Sequence, residues 1–349
     1  MPMTMGCYQL QRYSCYSTST STSRQHHKQP HQKKQLHRPT PTKAKPTTTE
    51  QVNPPSSTRP SPLSMPDALP ATASTSDKFK RYMAVGKAYI NFYKTGIKNV
   101  YHNYRASIPL RQNLGLPVYL PTSVGNSIEI TNNKVNNAIT RSEFQLIERS
   151  AHDIRRLIPF CFLLLVCGEM TPLVVLALGN AITPATCRVP AQVRKHDALR
   201  AARKNAALVV YQTHTAGAVK APQVGSEEEL DVLMDFADTR WVESASTRDV
   251  LCACAVLDLA DSHAGGREAV GFAYRQRLRQ FAAYLGLDDA LIVSGGGVGA
   301  LNRDEVRLAV VERGGGDVAG DGKGEKEERQ WLERWIQRKQ QQGETKHQS

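Results

Sequence analysis

The chain has 349 residues, 40% of them hydrophobic, with 45 Lys+Arg against 32 Asp+Glu. That length suits one modest folded domain with extended segments, and its basic excess is lopsided: residues 1–189 carry 23 Lys+Arg and 8 Asp+Glu, residues 190–349 carry 22 and 24. A general nucleic-acid footprint is not supported for the second half, which leaves room only for a local basic face, and seven cysteines without a CxxC pair read as neither a disulfide framework nor a zinc site.

Residues 1–49 contain eight Lys+Arg, four His and no acid; Glu50 is the first. A leader of this kind, cationic and rich in Ser and Thr, predicts a mitochondrial transit peptide over residues 1–45, against the alternative of a disordered basic tail. Residues 46–76, rich in Pro, Ser and Thr, offer too little apolar surface to offset ordering and read as a disordered linker. From Asp77, apolar and aromatic residues from Phe79 to Tyr104 recur at helical steps, with lysines between them. They predict a basic amphipathic helix ending before Pro109, within a 77–139 segment whose remainder is irregular. Such a helix lies on an anionic membrane or packs on protein.

Thr140 and Glu143 form a capping box that opens a helix running into residues 157–182, a run in which Glu169 is the only charge. Its 26 residues would reach roughly 39 Å as one helix, against about 30 Å of hydrocarbon. One membrane span is expected, kinked at Pro159, Gly168 and Pro172. A carboxylate at that depth makes Glu169 a candidate transport residue; the plainer reading is a neutral acid that hydrogen-bonds backbone freed by Pro172. Flanking charges tie, so topology is not set by them.

Residues 190–337 read as successive helices: one over 192–214, others opening at Ser226, Thr247 and Asn302, one over 266–285 stopped by Gly286, and a last one holding Trp331, Leu332, Trp335 and Ile336. Residues 338–349 form a tail. The fold class is all-α, a single transmembrane helix followed by a soluble helical domain. Arg194, Lys195, Arg200, Arg203 and Lys204 are candidates for lipid head groups. Arg275 and Arg279 share a helix face and are candidates for contact with ribosomal RNA, or simply a solvated face. The glycines of 294–300 fit a dinucleotide fingerprint only nominally, because no βαβ unit surrounds them, and read as a loop. Residues 317–328 lack the full donor set of a calcium loop. No nucleophile–base pair or paired carboxylates stand out, so neither an enzyme, a cofactor nor a metal site is expected.

The run Thr140-Arg-Ser-Glu-Phe-Gln-Leu-Ile-Glu-Arg, followed by Arg156-Leu-Ile-Pro-Phe160, Glu169, Pro172 and Pro184-Ala-Thr, resembles the LETM family of leucine-zipper/EF-hand mitochondrial inner-membrane proteins. Thr247-Arg-Asp-Val-Leu-Cys-Ala-Cys, Leu301-Asn-Arg-Asp-Glu-Val, Arg313-Gly314 and Leu332 to Ile336 extend the resemblance to its ribosome-binding-type domain. The resemblance implies an inner-membrane protein with its C-terminal domain in the matrix. It also implies a role in potassium or calcium/proton homeostasis, or alternatively membrane anchoring of the mitochondrial ribosome. Expected partners are that ribosome, inner-membrane lipids and further copies of the chain, but not DNA.

Overall fold

Side chains that cap helices set six of the ten α-helix starts in the computed structural model, which describes residues 48–70, 72, 74–117, 139–168, 183–215, 217, 220–262, 271–316 and 324–348. Ser74, Ser226, Asp238, Ser246 and Asn302 each accept a hydrogen bond from a first-turn backbone N–H, satisfying donors that the helix itself leaves orphaned. Thr140 and Glu143 cap each other reciprocally at 3.0 and 3.3 Å. The described residues fall in the unit Lys45–Ser349 and include no strand. Ten α-helices are described: α1 Thr48–Val52, α2 Thr75–Asn113, α3 Arg141–Cys167, α4 Pro190–Thr215, α5 Glu227–Phe236, α6 Thr239–Ser244, α7 Thr247–Val256, α8 Gly271–Ser294, α9 Arg303–Glu312 and α10 Glu325–Gln348. The all-helical expectation therefore holds for these residues.

Helices α2 and α3 pack side by side. Tyr93 meets Phe160 with ring centroids 5.8 Å apart, while the Arg111 guanidinium reaches Ser150 at 3.4 Å. Residue numbers rise along one helix as they fall along the other, so the pair is antiparallel. Contrary to the sequence expectation, α2 does not stop before Pro109. Proline removes one helical hydrogen bond, at about 3 kcal/mol. Beyond it, Arg111 is fully buried under the Tyr104 ring, which holds the last turn in place. Gly96 faces the turn Ala185–Cys187 so closely that an added Cβ would stand 2.7 Å from Cys187 Sγ.

The remaining helices gather around one apolar core. Leu230, Leu233 and Phe236 of α5, Val250 to Val256 of α7, Leu278, Leu285 and Ile292 of α8, and Val306 and Val310 of α9 are buried there. Trp331 and Trp335 of α10 stack at 5.6 Å in the same cluster. Gly286 does not stop α8, which continues to Ser294. The buried Leu287, Asp288, Leu291 and Ile292 beyond it outweigh the roughly 1 kcal/mol helical handicap of glycine. Helix α10 likewise runs on through the segment expected to be a tail.

The largest departure concerns residues 46–76. Far from a disordered linker, Thr48–Arg59 form a strap built into the folded unit. Val52 is fully buried among residues of the C-terminal helices, and its carbonyl accepts from Arg141. Asn53 donates to the Ala300 carbonyl and accepts from the Asn302 N–H, both at 2.8 Å. Ser57 donates to Asn103, and Thr58 accepts from Arg149. This strap explains a glycine that the sequence left unaccounted for: a Cβ on Gly295 would come within 2.4 Å of Val52 Cγ2. We therefore expect Val52→Ala to cost about 2 kcal/mol and Gly295→Ala about 1–3 kcal/mol in denaturant unfolding. The double variant should lie within about 1 kcal/mol of the worse single one, because each removes one side of the same contact. Full additivity would show that the strap does not sit on Gly295.

Candidate functional site

Three arginines converge in the interior, where charge survives only if paired. Arg141 is entirely buried; its Nε lies 2.8 Å from Asp288 Oδ1 and its Nη1 3.2 Å from Glu305 Oε2. Arg149 forks onto both oxygens of Glu305 at 2.7 and 2.8 Å. Arg313 reaches Asp288 at 2.8 Å and Asp289 at 2.6 Å. The indole N–H of Trp335 donates to Asp289 and the Gln145 amide to Asp288. Tyr284 accepts from Gln145 and donates to Glu312 at 3.0 Å. Burial alone would raise the Asp288 carboxyl, but the Arg141 and Arg313 guanidiniums hold it well below the usual carboxylate range. Glu305 is lowered in the same way, burial opposing and Arg149 prevailing. With its acids engaged by guanidiniums, this cluster ties α3 to α8, α9, α10 and the strap. It presents no activated nucleophile. The sequence carried one signal of it: Asp288 and Asp289 interrupt an otherwise apolar helical stretch.

A second feature lies at one end of the α2–α3 pair. Phe79, Tyr82, Met83 and Ile90 on α2 are 60–75% exposed and recur at three-, four- and seven-residue steps. Ile158, Phe162, Leu165 and Val166 on α3 are 65–84% exposed at similar steps. Among the described residues these two apolar stripes have no partner, and they extend outward from the level of the Tyr93–Phe160 contact. Exposed Lys78, Lys80, Lys87, Lys94 and Lys98 flank the α2 stripe, and Asp77 is the only acid of that helix. Scattered apolar residues are ordinary on a surface; two aligned stripes rimmed by lysine mark a contact.

The expected single span is corrected by the path of the chain. Helix α3 passes through Pro159 and ends at Cys167, where Gly168 takes φ +52°. Among the described residues no helix is long and apolar enough to cross a membrane. Downstream, the Ala185 N–H donates to Asp153 Oδ1 at 2.7 Å, and the Thr186 hydroxyl contacts the Gly96 carbonyl at 3.5 Å. An unbroken helix from Asp153 to Ala185 would hold them roughly 48 Å apart. The two flanks of the apolar run therefore meet, and one straight span from 157 to 182 is ruled out. Glu169 and Pro172 lie outside the described residues.

The other sequence-chosen cations are largely occupied. Lys204 is buried with its ammonium 2.7 Å from Glu229, Arg203 pairs with Asp258 at 2.6 Å, and Arg200 donates to the Val311 carbonyl. Only Arg194 and Lys195 of that set stand fully exposed. Arg275 caps the end of α6, donating to the carbonyls of Val242 and Ala245, and Arg279 pairs with Glu243 at 3.4 Å. Arg188, which follows the turn Ala185–Cys187, is pushed down to about 10, by burial first and then by the neighbouring Arg156.

Asp288→Asn should lower stability by about 3–5 kcal/mol at neutral pH, since two buried guanidiniums lose a partner. Because the folded-state carboxyls of Asp288 and Glu305 sit below their unfolded values, their contribution is complete above about pH 4 and fades as pH falls further. Urea unfolding at pH 7 and pH 3 should show that loss in the wild type and a smaller one in Asp288→Asn.

Among known families, the model of the pentamidine resistance factor domain matches residues 77–240, a little under half of the chain. That family is a mitochondrion-associated one. The match runs from the first turn of α2 to the start of α6, including both apolar stripes, and it overturns the resemblance to the LETM family, which no finding supports. Neither the curated proteins nor the solved structures give a match.

Proposed function

We propose that this chain is a mitochondrial protein that docks on the matrix face of the inner membrane through the α2–α3 end, entering one leaflet without crossing the bilayer. The observation that carries the reading is the return of the chain at Ala185 to Asp153, beside two exposed apolar stripes. From Leu157 to Cys167, α3 offers 11 residues, about 16 Å, roughly half the thickness of the hydrocarbon core. The lysines of α2 match the negative potential of an anionic leaflet, at about 1 kcal/mol each. The acid-free leader and the mitochondrion-associated family both support the compartment. In this reading the protein is a membrane-held helical scaffold. Cation exchange through Glu169, read from its place in the apolar run, and ribosome contact through Arg275 and Arg279 both leaned further on the LETM resemblance, and neither is carried forward.

Vesicle flotation tests the proposal. The protein should float with cardiolipin-containing vesicles and far less with phosphatidylcholine alone. Reversing Lys80, Lys87 and Lys94 to Glu should weaken binding by about 100-fold or more. Phe162→Ser with Leu165→Ser should abolish insertion while leaving the fold intact. Cysteines placed at Arg155 and Ala198 should react with a membrane-impermeant maleimide from the same side. Labelling from opposite sides, or equal flotation with both vesicle types, would sink it.

A further inference from the structure

A cavity of about 430 Å³ opens where the strap, α3, α8 and α9 meet, away from the apolar stripes. Pockets of this size hold small organic ligands. One wall is aromatic: Phe281 and Tyr284 stack with centroids 5.7 Å apart and planes at 25°, and Phe144 stacks behind Tyr284 at 5.5 Å. Leu259, Leu308 and Pro60 make the rest of the body apolar. A flat hydrophobic guest fits that lining better than a sugar or a free phosphate.

The polar groups define its two ends. Arg59 and Arg149 line the cavity but are committed to Asp304 and Glu305 at 2.8 and 2.7 Å. Arg277 is different. It follows the helical steps of Phe281 and Tyr284 on the same face of α8, it is exposed, and it has no carboxylate partner among the described residues. At the inner end, Gln145 is fully buried, and its Oε1 has no hydrogen-bond partner, although its amide nitrogen has two. A buried acceptor left open asks for a donor. Two carboxyls also line the cavity, Glu148 and Glu312, and burial pushes that of Glu312 up, toward its protonated form. His152, also lining the cavity, is held toward its neutral form by burial.

We propose that this cavity binds a small hydroxylated aromatic carboxylate: the ring lies against Phe281 and Tyr284, the carboxylate meets Arg277, and the ring hydroxyl donates to Gln145. This assignment is independent of membrane docking. Each contact answers an unmet group: the guanidinium supplies a planar fork, the amide oxygen an open acceptor, and the stacked rings a flat wall.

Calorimetric titration of the full chain with 4-hydroxybenzoate tests it, with benzoate, phenol and cyclohexanecarboxylate as controls. Saturable binding of 4-hydroxybenzoate is expected, about tenfold weaker for benzoate and for phenol, each lacking one polar end. Cyclohexanecarboxylate, which cannot stack, should bind more weakly than benzoate. Arg277→Gln, at an exposed position, should keep the thermal midpoint and lose about tenfold in affinity. Leu308→Trp should fill the cavity and abolish binding, with folding checked by circular dichroism; if that variant misfolds, Arg277→Gln decides alone. No heat at millimolar ligand, phenol binding as tightly as 4-hydroxybenzoate, or unchanged affinity in Arg277→Gln would each overturn the proposal.

Discussion

A buried guanidinium has nowhere to put its charge except against an acid, and three of them set the frame of this protein. Arg141 and Arg149 sit on α3, and Arg313 follows α9. Their partners Asp288 and Asp289 lie on α8 and Glu305 on α9, with Trp335 of α10 closing the set. An apolar interface tolerates a slip of one helix along another at modest cost, whereas an ion pair several ångströms out of register leaves an unpaired interior charge, at several kcal/mol. The cluster therefore fixes the register of α3 against α8 and α9. It also fixes the strap, because the same Arg141 takes the Val52 carbonyl.

That rigid base gives the other features their meaning. Helix α3 leaves the cluster at Arg149, passes Asp153 and carries its apolar stripe outward, with α2 antiparallel beside it. Asp153 receives the returning chain, so the apolar excursion begins and ends at one level. The cavity borders the same arrangement, since Arg149, Gln145 and Tyr284 belong to the cluster and also line the cavity. A membrane-facing end and a small-molecule pocket thus share one support, with the strap as part of its wall.

Much of the local structure was legible in the residues. Caps at Ser226, Asn302 and the Thr140–Glu143 pair mark helix starts because the orphan N–H groups must be met nearby in sequence, while the start expected at Thr247 is capped one residue earlier by Ser246. Stops were harder. Pro109 and Gly286 are poor helix residues, yet both helices continue, since the packing of Arg111 and of Leu287 to Ile292 outweighs local preference. The strap was illegible for a related reason. Its composition is that of a linker, and a single valine holds it with a handful of side-chain hydrogen bonds and the Arg59–Asp304 ion pair, all to partners far away in sequence. Of the charged residues singled out by spacing, Arg203, Lys204, Arg275 and Arg279 proved to have internal partners, while Arg277 between the last two lines the cavity.

By itself, the sequence determined what depends on near neighbours: helical periodicity, helix starts, the basic character of the first half and the apolar run after Leu157. Those properties follow from hydrogen-bond geometry and hydrophobic spacing over a few residues. The tertiary structure alone decided which charges are buried together, that the two flanks of the apolar run meet, and where a cavity remains. Such outcomes depend on pairs more than a hundred residues apart, such as Arg141 with Asp288, or on the two flanks of one segment meeting, as Asp153 and Ala185 do. No local pattern encodes either, because the energy of each contact exists only once both partners have been brought out of water together.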